Sequence, residues 1–226
     1  MNVVLLKKLD KIFSILLFFI IPLGLYFAFI YAPVEKTMGL IQKIFYFHVS
    51  SAWVGFFAFF ITFLFSILYL VTKKVEYDDL ASASAETGLL FCTIVIVTGP
   101  LWARPTWGVY WTWDARLTST LILWFIYVGY IMLRQFMEEN QKRAQFSALL
   151  GIIGFINVPI VFLSIQWWEN TIHPNVVQKG GGGMHEDMFT AMLMCLFMFT
   201  VIYIGLVIRK LRIINIERQI NYLELE

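Results

Sequence analysis

Between positions 102 and 116 the chain carries Trp102, Trp107, Trp111 and Trp113, half of its eight tryptophans, with Arg104 and Arg116 near the two ends of the run. Indoles gather at membrane surfaces as anchoring belts, but such belts form at both faces. The other four, Trp53, Trp124, Trp167 and Trp168, leave one side nearly bare, so a binding surface accounts for the asymmetry better. In a helical segment Trp107 and Trp111 lie four residues apart and share a face, and Gly108 beside them lets a flat body approach the backbone. Stacking and burial together favour a planar, largely apolar ring system, a description that haem meets.

The three histidines are His48, His173 and His185. Neutral imidazole is a common axial ligand of haem iron. His48 and His173 each sit near the end of an apolar run and could face one cavity. An interfacial, hydrogen-bonded role is the alternative for each. His185 follows the run Gly180 to Gly183 and precedes Glu186 and Asp187, which makes it a poor ligand candidate. Arg104 and Arg116 suit either haem propionates or lipid phosphates. Asp114 stands where a helix begins and is expected to cap it. Cys92 and Cys195 fall inside apolar runs without a Cys-x-x-Cys pattern, so covalent haem attachment and thiol redox chemistry are not encoded.

The elements that must position these residues are apolar and long. The chain has 226 residues, 60% apolar and 14% charged, against roughly 25% charged for soluble domains. Runs at about 12–34, 46–72, 80–101, 117–137, 144–167 and 188–210 each approach the ~20 residues needed to cross a bilayer as a helix. The expected fold is therefore an all-α membrane protein, a single six-transmembrane-helix bundle with a short amphipathic helix in the outer loop 102–116. Twelve of the 17 Lys and Arg residues fall on the side of the termini, which the positive-inside rule assigns to the cytoplasm. Glu86 is expected to snorkel to the surface or to pair with Lys73 or Lys74, and the tail after the last run to form a short amphipathic surface helix. With a net charge of only +2 and scattered basic residues, nucleic acid is set aside as a partner. The glycine run lacks the Lys-Ser/Thr ending of a phosphate loop.

The run from Trp107 through Trp111, Trp113, Asp114, Ala115, Arg116 and Leu117 to Ser119 resembles the tryptophan-rich (WWD) signature of the haem-handling proteins of cytochrome c biogenesis. Six spans, Tyr46-Phe47-His48-Val49 and the stretch from Trp167 to His173 resemble the CcmC family within that group, over essentially the whole chain. The resemblance implies haem b held on the outer face between axial ligands His48 and His173. Trp107, Trp111, Trp113, Asp114, Arg104 and Arg116 would surround it. It also implies delivery to a periplasmic haem chaperone, CcmE, with a small single-span partner, CcmD, and an ABC-type complex, CcmA/CcmB. Transfer would proceed by positioning and not by acid–base catalysis. The implied location is a bacterial inner membrane, with the mitochondrial inner membrane as the alternative. A rival reading is a membrane cytochrome b-type electron-transfer subunit, which would place both ligands on facing helices; His173 lies beyond its span. A transporter is disfavoured, because intramembrane charge is nearly absent.

Overall fold

The computed structural model of the chain describes residues 3–167 and 184–223. Helix α1 covers Val3–Tyr26 and continues through a π-helical turn, Phe27–Tyr31. It is followed by α2 (Gln42–Thr72), α3 (Val75–Trp107), α4 (Ala115–Phe136), α5 (Asn140–Trp167) and α6 (Glu186–Leu223). All six are long and apolar enough to cross a membrane, so the chain is an all-α, multi-pass membrane protein. Hydrocarbon offers no partner to a backbone N–H or C=O, which is why runs of this composition close their hydrogen bonds within each helix.

At the centre α2 packs along α3 and also meets α5 and α6, while α4 packs on α5 and α1 leans mainly on α6. The α2–α3 contact is close because small residues face each other. A Cβ added at Gly88 would lie 2.8 Å from the Phe59 ring and 3.0 Å from the Ala58 Cβ, and one at Gly55 would lie 3.7 Å from the Cys92 backbone nitrogen. Close approach of this kind replaces the missing hydrophobic drive between helices in lipid. The buried Phe59 ring stacks on Tyr127 of α4 at 3.6 Å between centroids, tying α4 to the same seam.

The two ends of the bundle differ in chemistry. At the end holding the α2–α3 and α4–α5 connections, Arg134 grips Asp78 through two bonds of 2.7 and 2.9 Å, and Arg218 grips Asp79 at 2.8 and 2.9 Å. Arg209 and Arg212 both reach Asp10 of α1, at 3.2 and 2.6 Å. These pairs hold the tail of α6 on α1 and α3, so it continues the 38-residue helix and does not form a separate surface element. Glu86 pairs with Lys210 at 2.6 Å, not with Lys73 or Lys74. Those lysines sit at the α2–α3 turn, roughly 16 Å back along the axis of α3 at 1.5 Å per residue.

At the opposite end the α1–α2 connection is closed by Glu35, whose carboxylate accepts the backbone N–H groups of Met38 and Thr37. These bonds, Met38 foremost, hold the Glu35 carboxyl below its ordinary range. The segment 102–116 forms no separate helix. Trp102 to Trp107 are the last turns of α3, which Gly108 ends with a left-handed φ of 80° and an N–H bonded to the Arg104 carbonyl at 2.9 Å. Residues 109–114 are irregular.

Gly88→Ala is expected to destabilise the protein by about 1–3 kcal/mol through overpacking. Gly129→Ala, where an added Cβ meets nothing within 4 Å, should be neutral or gain up to about 1 kcal/mol from helix propensity. Denaturant or thermal unfolding of the detergent-solubilised variants measures both; equal stability of the two would contradict the α2–α3 packing.

Candidate functional site

A cleft of about 160 Å³ opens at the tryptophan end between α2, α3, α4 and α5. His48 and Trp53 of α2 line it, with Gly99, Trp102 and Trp107 of α3, Trp111 of the irregular segment, Arg116 of α4 and Phe162 of α5. Its walls are helical and its mouth is aromatic. Trp53 meets Phe162 edge to face at 6.0 Å, and Trp102 meets Trp107 edge to face at 5.2 Å.

The orientation of His48 follows from one neighbour. Its Nδ1 lies 2.9 Å from the Thr98 hydroxyl, which itself donates its only proton to the Ile94 carbonyl at 2.6 Å. With its proton so committed, the hydroxyl accepts from His48, and in a neutral imidazole this pairing assigns the proton to Nδ1 and the lone pair to Nε2. This is the arrangement in which metal-binding histidines are commonly held, with one ring nitrogen donating to a second group and the other free of its proton. Gly99 lies against the ring: a Cβ there would stand 3.4 Å from His48 Cε1, an ordinary contact. Pro100, one residue on, has no N–H to give the Ile96 carbonyl, and both residues line the cleft.

Three donors on the lining are buried without an acceptor: the Trp102 and Trp111 indole nitrogens and the Arg116 Nε. A buried donor left unsatisfied costs about 1–3 kcal/mol, and an acceptor group entering the cleft would relieve that cost at these three positions. Arg116 also donates to the Phe162 carbonyl at 3.3 Å, which spans the cleft from α4 to α5.

The other sequence candidates are placed differently. Trp107 and Trp111 both reach the cleft, but from opposite sides of the Gly108 break and not from one helical face. Trp113 is 76% exposed and contacts Trp111 edge to face at 5.8 Å. Arg104 is exposed, donates to the Gly108 carbonyl and stacks over Tyr110 at 5.6 Å. Neither Trp113 nor Arg104 lines the cleft. Asp114 caps α4: one carboxylate oxygen accepts from the Leu117 N–H at 2.9 Å and the other from the Thr112 hydroxyl at 3.0 Å. His173 lies outside the described residues. His185 sits at the start of α6, exposed, 3.4 Å from Asp187, whose other carboxylate oxygen accepts from Tyr31 at 2.8 Å. The residues that sequence reasoning missed are Thr98, Gly99 and Phe162. A hydroxyl directly before Gly99-Pro100 in an otherwise apolar run was the available signal for the first two.

The fold and cleft define a class: a polytopic helical membrane protein with an aromatic, histidine-bearing pocket at one end. Comparison with known proteins narrows it. The chain matches the family described as heme exporter protein C over residues 2–226. It is 33% identical over 208 residues to heme exporter protein C of Bradyrhizobium diazoefficiens, covering 91% of this chain and 78% of that one. It is 34% identical over 175 residues to heme exporter protein C of Escherichia coli, covering 76% and 68%. A putative cytochrome c biosynthesis ccmC-like mitochondrial protein of Marchantia polymorpha is 35% identical over 171 residues, covering 75% and 72%. The chain belongs to the heme exporter protein C (CcmC) family, and with it to haem handling in cytochrome c biogenesis.

Asp114→Ala is expected to cost about 0.5–2 kcal/mol by uncapping α4, whereas Asp114→Ser should recover most of the loss. Unfolding midpoints of the two variants in detergent provide the check, and equal losses would mean that the carboxylate acts otherwise than as a cap.

Proposed function

We propose that the protein takes haem b as cargo at the non-cytoplasmic end of the bundle and delivers it to a periplasmic haem chaperone of the CcmE type. The observation that carries this reading is the conjunction, on one cleft, of an imidazole held with its lone pair on Nε2 and three buried N–H donors lacking acceptors. Iron suits the first and the carboxylates of a porphyrin suit the second. The cleft residues fit the cargo in kind.

His48 supplies one axial nitrogen, and Thr98 fixes its tautomer so that binding requires no proton rearrangement. Trp107 and Trp111 offer aromatic faces, and Arg116 offers a guanidinium to an acid group. His173 is the second axial ligand in this reading; its segment joins α5, whose Phe162 lines the cleft, to α6. At about 160 Å³ the cleft is smaller than the ~300 Å³ of the smallest common ligand sites, so it grips an edge of the macrocycle and leaves the remainder outside. Exposed Tyr110 and Trp113 beside the mouth provide the surface against which an incoming chaperone docks. Arg104 steadies that surface through Tyr110 and Gly108. The work is orientation, which needs no titrating acid or base.

The excess of Lys and Arg on the side of the termini supports an orientation with both termini in the cytoplasm. A CcmD-like single-span protein and a CcmA/CcmB-like ABC-type complex are the expected companions, in a bacterial inner membrane or its mitochondrial counterpart.

Purified wild-type protein should carry haem with the absorption spectrum of two nitrogen ligands, and His48→Ala and His173→Ala should each change that spectrum and lower haem content. Unaltered content and spectrum in both variants would remove the ligand assignment. Thr98→Val, which keeps the shape but abolishes the acceptor for Nδ1, should weaken haem retention by about 10–100-fold, as loss of outer-shell partners commonly does. Retention equal to wild type would show that the tautomer does not matter.

A further inference from the structure

A second, roomier cavity lies at the other end of the bundle. It measures about 940 Å³, within the roughly 300–1,000 Å³ of small-molecule sites and far larger than the tryptophan cleft. It is walled by α2, α3, α4, α5 and α6, with apolar contributions from Val75, Leu89, Ile131, Ala144 and Ile214. Most of the charge on its lining is already spent: Asp78 is paired with Arg134, Asp79 with Arg218 and Glu86 with Lys210.

Two cations remain. Among the described residues Lys73 and Arg143, both on the lining, pair with no carboxylate. Arg143 donates to Asn140 at 2.5 Å, but its Nε is shielded from solvent with no acceptor. One turn further along α5, Ser147 is fully buried and its hydroxyl is likewise without a protein partner. The one carboxylate on the lining outside these pairs is Glu217. A shielded guanidinium nitrogen facing no anion, in a roomy cavity with apolar walls, calls for a ligand that brings an acid group on an apolar body.

We propose that this cavity is a second binding site, for an amphiphilic anion whose acid group meets Arg143 and Lys73 and whose apolar part lies against α3, α4 and α6. Among the described residues no histidine, methionine or cysteine lines the cavity, so recognition is of the acid group and needs no iron. Two sources offer this chemistry: the acidic phospholipids of the adjoining leaflet, which basic pockets between spans are suited to bind, and a porphyrin dicarboxylate. In the second case the site would be a loading station at the end opposite the aromatic cleft.

The test uses full-length protein in phosphatidylcholine nanodiscs, with metal-free protoporphyrin binding read by fluorescence in one arm. In the other arm retention of phosphatidylglycerol and cardiolipin is read by native mass spectrometry. The double variant Lys73→Gln/Arg143→Gln should lose about tenfold or more in affinity for one of these ligands, the equivalent of one charge-assisted hydrogen bond. Glu217→Lys should bind that same ligand more tightly, a gain that misfolding cannot produce. A response confined to porphyrin assigns the site to porphyrin, and one confined to the lipids assigns it to lipid. The haem spectrum that depends on His48 should be unchanged in the double variant, so failure here and failure of the cleft reading are separable. Equal affinities of wild type and both variants for every ligand would overturn the proposal, as would porphyrin binding abolished by Trp107→Ala/Trp111→Ala but indifferent to Lys73 and Arg143.

Discussion

The close approach of α2 and α3 at Gly55 and Gly88 is the constraint on which the site depends. Without a Cβ at Gly88 the two backbones come together along a seam of small residues, and two turns beyond Gly55 the same approach brings His48 of α2 within 2.9 Å of Thr98 on α3. A wider helix pair would leave the imidazole without its acceptor and the tautomer undetermined. In hydrocarbon, where apolar side chains gain nothing by leaving lipid for each other, such packing and the few interhelical hydrogen bonds are what hold helices in register. The geometry of the cleft is thus inherited in part from Gly88, more than two helical turns from Thr98.

Polarity is divided between the two ends of the bundle in a way that follows from the cost of burying charge. At one end the carboxylates Asp10, Asp78 and Asp79 are buried yet each is gripped by arginine, which keeps an otherwise prohibitive desolvation tolerable. At the other end, among the described residues, the cleft lining holds three buried donors without acceptors, on Trp102, Trp111 and Arg116. Native folds that break the rule of paired buried groups tend to do so at functional sites. The cavity at the terminal end carries the same signature in weaker form, at Arg143 Nε.

Much of this was legible in residue types. Length and apolar runs sufficed for six helices, because nothing but a helix satisfies such a segment in lipid. Asp114 was readable as a cap from its position before an apolar run. The gathering of tryptophans at one end of the bundle was readable from their positions in the chain. The backbone between them was not: Trp107 and Trp111 have helical spacing, but Gly108 takes a left-handed conformation and separates them. Spacing alone does not reveal whether a glycine will continue a helix or close it, since it can do either. The pairing of Glu86 with Lys210 was equally hidden, because sequence proximity favoured Lys73 and Lys74 while the partner comes from α6, more than 120 residues away along the chain.

The amino-acid order by itself determined that this is a multi-pass helical membrane protein, that its indoles crowd one end and that its basic residues crowd the other. Those properties are sums over residues, and the bilayer reads them one segment at a time. Tertiary structure alone decided which hydroxyl His48 meets, which tryptophans share a cleft, which acid meets which base and where the large cavity opens. Each of these depends on distances between helices set by packing, and a contact of 3 Å between segments fifty or more residues apart leaves no periodic trace in either segment.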